Sequence, residues 1–173
     1  MRLAAHFGWL ASALALALIL TFDVGPVVAG PGSELDPPFI AKANTVCKSV
    51  SASFRQVLGK TFPYPNFNPE KPDPVTLRLV GAHFHKALSI YKAVPGELKA
   101  LGEPTTGRQL WLELRGLADE DETLAIEQQA DALAGNAKAF VANVNAVNKL
   151  QSKIDSTGAA AGFAASSACA STF

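Results

Sequence analysis

Apolar residues recur every three or four positions along most of this chain, the spacing that keeps one face of a helix buried. The first stripe runs through Phe39, Ala43, Val46, Val50, Phe54 and Val57 and predicts a helix. The stretch KTFPYPNFNPEKPDP, residues 60–74, ends it, because closely spaced prolines remove backbone donors and clash with the preceding turn; it reads as a loop.

Asp73 and Pro74 form an N-cap and first-turn pair for a second helix. Its stripe is Leu77, Val80, Phe84, Ala87, Tyr91 and Val94, and Pro95-Gly96 is the expected stop. Thr105 or Thr106 is placed to cap a third helix carrying Leu110, Leu114 and Leu117 with Trp111 beside them. Gly116 and the acidic run DEDE, residues 119–122, disturb that stripe, and Asp121 falls where the next apolar residue is due. A kink or split is expected there, followed by a resumed face of Leu124, Ala130 and Leu133. Gly135-Asn136 is the next stop, and Phe140, Val144, Val147, Leu150 and Ile154 form a fourth amphipathic face.

Isolated amphipathic helices are marginal in water, so four of them on moderate connections are expected to bury their stripes together. The expectation is an all-α fold, a four-helix up-down bundle over residues 39–157. The end of the chain, GAAAGFAASSACASTF over residues 158–173, is small and glycine-broken, and reads as a tail that needs a tether.

The start of the chain is of a different kind. MRLAAHFGWLASALALALILTF places Arg2 before an almost unbroken apolar run, the arrangement of an export signal. Val27-Val28-Ala29 then suits cleavage after Ala29, making residues 1–29 a signal peptide and residues 30–38 a linker. The competing reading is an uncleaved anchor, since the run is about the ~20 residues that span a bilayer; membrane contact is expected only in that case. Either way the expected location is extracytoplasmic, secreted or associated with the cell envelope.

Export changes the reading of the cysteines. The chain has two, Cys47 and Cys169, and thiols oxidise outside the cytoplasm, so one disulfide between them is expected to fasten the tail to the first helix. Two unpaired buried cysteines are the alternative. Charge adds an exclusion: 15 basic residues balance 15 acidic ones in 173 residues, so no basic field exists to attract nucleic acid.

The segments FIAKANTVC, VPGELKALGEP and ALAGNAKAF, a helix with a central Trp, and a last cysteine after Gly-Phe resemble a family of small secreted helical proteins of unknown function from high-GC Gram-positive bacteria. The resemblance spans residues 39–169 and implies secretion and a helical bundle, with no chemistry attached.

Candidate chemistry is sparse. His83 and His85 are two apart on a helix and point in different directions, so they make a poor metal pair, and the DEDE run lacks the alternating ligands and glycine of a calcium loop. No catalytic motif, metal site or cofactor is expected, and the protein is not read as an enzyme. The prominent feature is the proline-rich loop with Phe62, Tyr64 and Phe67. Rigid extended backbone and large aromatic contact area suit a recognition surface for an unknown envelope or extracellular partner, although aromatics in such loops also fold back to close a core. A second expectation is a carrier of a small apolar ligand, in a cavity lined by Phe84, Tyr91 and Trp111 with His83 or Tyr91 as the polar handle.

Overall fold

A computed structural model of the chain describes residues 34–59 and 63–163. Among these residues the protein is all-helical, with five helices: α1 (Pro37–Leu58), α2 (Pro74–His85), α3 (Leu88–Ala100), α4 (Arg108–Ala134) and α5 (Ala137–Ala160). The segment read as an export signal and Cys169 lie outside the described residues. No helix among those described is long and apolar enough to cross a membrane.

The central element is α4, which packs against α2, α3 and α5, while α1 packs on α3. The pair α4 and α5 is antiparallel, as the short turn at Gly135-Asn136 requires. Thr157 near the end of α5 donates to Glu113 near the start of α4 at 3.4 Å, and Asn143 donates to Asp131 at 2.9 Å near the turn. Gly135 has φ +69°, a left-handed conformation that ends α4, and Asn136 caps α5 by accepting from the Ala139 amide.

The first stripe is largely as expected: Phe39, Ala43, Val50 and Phe54 are buried, together with Cys47. Val46 is half-buried and Val57 is exposed. Asp36 caps α1 by accepting from the Phe39 amide at 2.9 Å, so the helix begins inside the segment read as a linker, and Leu35 just before it belongs to the core.

The expected second helix is two. It breaks at Lys86-Ala87, where the Ala87 amide turns back to the Phe84 carbonyl at 2.9 Å and Ala87 has no side chain able to cap α3. Leu77, Val80 and Gly81 are buried in α2, but Phe84 and Tyr91 are only half-buried, since the break turns the two halves towards different neighbours. Arg78, His85 and Lys92 face water as expected. Pro95-Gly96 does not stop the helix. Pro95 sits inside α3, which runs on to Ala100 because Leu98, 1 % exposed, anchors the last turn in the core beside Trp111.

Nor does the acidic run split α4. The helix is continuous, and its buried positions are Trp111, Leu114, Ala118, Asp121, Ala125, Gln128 and Ala132, alternating by three and four, with Leu117 at their edge. The expected resumed face is therefore out of phase: Leu124 is half-buried, while Ala130 and Leu133 are exposed. Asp119 and Glu120 face water, and Asp121 keeps the core phase. Gly116 lies exposed in this helix with nothing near the place of its missing Cβ. Gly116→Ala should therefore stabilise the protein by about 0.5–1 kcal/mol through helix propensity alone, measurable by urea denaturation.

Thr105 and Thr106 do not cap α4. Gly107 precedes it instead, and both threonines tie the connection between α3 and α4 to the start of α1. Thr105 donates to the Asp36 carboxylate through its amide at 2.7 Å and its hydroxyl at 2.8 Å, and Thr106 donates to the Glu34 carbonyl at 2.9 Å. These donors hold the Asp36 carboxyl below its usual range. The Leu35 amide donates to the Ala161 carbonyl at 3.0 Å, which brings the end of α5 to the start of α1. The segment read as tail thus begins inside structure: α5 reaches Ala160, and Ala161 and Phe163 are buried in the same cluster as Cys47.

Candidate functional site

The proline-rich loop is the feature with the most accessible chemistry. Its prolines forbid a helix, and short polar links organise what remains. The Phe67 amide donates to the Tyr64 carbonyl at 3.0 Å, forming a turn. The Asn68 side chain accepts from the Glu70 amide at 2.9 Å, and its carbonyl accepts from the Lys71 amide at 3.2 Å. Asp73 then opens α2, accepting from the Val75 and Thr76 amides at 3.1 and 2.9 Å, and the Thr76 hydroxyl, followed by these amides, lowers its carboxyl below the ordinary range.

The aromatics of this loop divide their roles. Phe67 is half-buried and meets Phe140 edge-on, ring centres 6.0 Å apart, against the cluster of Leu77, Ala132, Phe140 and Val144. It closes that end of the core while leaving one side accessible. Tyr64 is half-buried too, 6.3 Å from the His83 ring and nearly perpendicular to it. Phe62 lies outside the described residues.

Between them opens a cleft of about 420 Å³, with Tyr64 and Phe67 in its walls and Asn66, Asn68, Lys71 and Asp73 among its polar lining. That volume is within the range of small-molecule and peptide side-chain sites. Its chemistry is aromatic faces beside amide donors and acceptors, one ammonium and one carboxylate, which suits binding by stacking and hydrogen bonding.

No family model, curated protein or solved structure matches this chain.

His83 is partly buried, and burial, helped by Lys86, pushes its imidazole below the usual histidine range. His85 is exposed, with its Nδ1 2.9 Å from Gln129 Nε2 on α4. No group of three potential metal ligands occurs among the described residues. His85→Ala should change stability by less than about 0.5 kcal/mol in thermal unfolding, as exposed substitutions do.

The aromatics expected to line a ligand cavity do not share one wall. Trp111 meets Phe39 edge-on where the start of α1 lies against the end of α5, Tyr91 meets Phe54 edge-on between α1 and α3, and Phe84 faces His83. Helix α3 begins afresh after the break, which separates Phe84 from Tyr91.

Two functional candidates went unseen in the periodicity. Asp121 and Gln128 occupy core positions of α4, 9 % and 5 % exposed, and the Gln128 Oε1 has no hydrogen-bond partner among the described residues. Burial pushes the Asp121 carboxyl up to about 7. The Tyr91 hydroxyl is pushed well above its ordinary range, by burial first and by the charge of Asp121 second. The sequence signal was the acidic residue in an apolar phase, read as a break in the helix rather than as a buried acid.

Proposed function

We propose that this is an exported, non-catalytic binding protein of the cell envelope or medium, which holds its partner in the cleft beside Tyr64 and Phe67. The observation that carries the reading is the cleft itself, framed by prolines and lined by aromatic faces together with Lys71 and Asn66. Aromatic anchors on a stiff loop gain contact area at low entropy cost. The balanced charge disfavours nucleic acid as that partner. Native mass spectrometry of the protein recovered from its host's medium tests the reading. A bound mass present on the wild type and lost from Tyr64→Ser/Lys71→Glu is the expected result, and an equal bound mass on both would count against the cleft.

The same proposal covers the architecture. Helices α2 and α3 serve as one broken arm, so that five helices make a four-armed up-down bundle, and a Cys47–Cys169 disulfide staples the end of the chain to α1. Support for the staple comes from Cys47 lying 1 % exposed in the cluster that also holds Phe163. The six residues from Phe163 to Cys169 can reach ~20 Å when extended. Closing so long a loop stabilises a fold by ~4–5 kcal/mol through chain entropy. Peptide mapping without reductant should recover one linked pair of fragments containing the two cysteines, and recovery of both as free thiols would remove the staple.

A further inference from the structure

Asp121 is a carboxylic acid at a core position, and nothing around it compensates a charge. Among the described residues it makes no side-chain hydrogen bond, and no lysine, arginine or histidine acts on it, the α3 lysines Lys92 and Lys99 facing water. One turn away on its own helix lie Leu117, Ala118, Leu124 and Ala125. The titratable group that faces it is Tyr91, on α3.

That helix has few local devices to secure it. It starts at Ala87 with no side-chain cap, carries Pro95 in its interior, and buries fully only Leu98. A proline there removes a backbone hydrogen bond, and an uncapped start leaves amides unsatisfied. Where the chain is held weakly, it opens first. It packs on α4, where its Tyr91 lies within range of the Asp121 charge, and its other side covers Phe54 and Val50 of α1.

We propose that α3 is a pH-controlled flap, seated on α4 while Asp121 is protonated and released when that carboxyl ionises. Release hydrates the carboxylate and uncovers the apolar surface formed by Val50, Phe54, Ala87 and Tyr91. With α3 seated the carboxyl titrates at about 7. Released, it titrates as an ordinary aspartate, near ~3.9. Below the lower value both states hold the proton and seating is strongest. Between the two values the released state has lost a proton that the seated state keeps, so the seating equilibrium falls about tenfold per pH unit. Above the higher value both are ionised and the equilibrium levels off. Tyr91 stays neutral throughout, because its hydroxyl is shifted the other way, far above this window.

Hydrogen exchange of the full protein between about pH 5 and 8, corrected for the intrinsic rate, reads the flap directly. Amides of residues 92–100 should lose protection about tenfold per unit up to about pH 7 and then hold steady, while those of residues 144–154 in α5 remain protected. In Asp121→Asn the α3 amides should not respond to pH. The same pH response in the variant, or joint loss of α3 and α5 protection, overturns the proposal. Should the variant not fold, the wild-type Asp121 carboxyl carbon followed by NMR decides: a midpoint near neutrality supports the flap, and one near the ordinary aspartate value refutes it.

Discussion

Replacing Trp111 by alanine should lower the free energy of unfolding by about 3–5 kcal/mol, which is large against the ~5–15 kcal/mol that holds a typical domain together. The indole has no exposed surface, and it meets the Phe39 ring edge-on with centres 4.8 Å apart. Its Nε1 donates to the Gly102 carbonyl at 3.0 Å, which pins the turn between α3 and α4. Around it lie Leu35, Leu98, Leu114 and Phe163, so one side chain joins the start of α1, the end of α3, the start of α4 and the end of α5. Truncation leaves a cavity at that junction as well as an unpaired carbonyl. Trp111→Phe separates the two effects: it keeps most of the apolar contact, loses the donor, and should cost about 1–3 kcal/mol. Urea denaturation of both variants checks the prediction, and equal losses would mean that the hydrogen bond, not the packing, dominates.

The second large effect is expected at Gly81, where helix propensity and packing make opposite forecasts. Alanine in a helix interior is favoured over glycine by about 1 kcal/mol, so propensity alone predicts stabilisation. The structure predicts the reverse. A Cβ at Gly81 would lie 2.7 Å from the Leu133 amide nitrogen and 2.9 Å from both the Ala132 carbonyl carbon and its Cβ, and most of these atoms are backbone that cannot step aside. Helix α2 would have to lift from α4, opening the cluster of Leu77, Ala132, Phe140 and Val144 on which Phe67 rests. Overpacking of this kind costs about 1–3 kcal/mol, and Gly81→Val belongs at the upper end. Because Phe67 rides on that cluster, the same variant should disturb the cleft. The contrast with Gly116→Ala, the same chemistry in open space, isolates close helix packing as the cause.

These residues also mark what could be read before folding and what could not. The helical class was legible because the stripes of α1 and α5 and the Asp73-Pro74 cap are local signals. The break at Ala87 was not, because the residues there stay in right-handed conformation and the apolar spacing passes through unchanged: Phe84, Ala87 and Tyr91 still fall three and four apart. Pro95 misled for the opposite reason. A strong local stop was overruled by Leu98, whose burial beyond it is a tertiary effect. Asp121 shows the limit most plainly, since an acidic residue in an apolar phase has two solutions, a broken helix or a buried acid, and only the tertiary packing around α4 selects between them. Of the loop, Tyr64 and Phe67 were visible as aromatics between prolines, but the cleft they share with Asn66, Lys71 and Asp73 depends on turns that bring residues 63–76 together.

The binding reading is tested most directly by placing a photo-crosslinking benzophenone at position 64 in place of Tyr64, and separately at the exposed position of Lys99 on α3, in the full protein expressed in its own host. A partner that docks in the cleft should be captured from position 64 as one discrete adduct, absent at position 99 and suppressed by Lys71→Glu. Adducts of equal yield from both positions, or a position-64 adduct indifferent to Lys71, would contradict the cleft as the site.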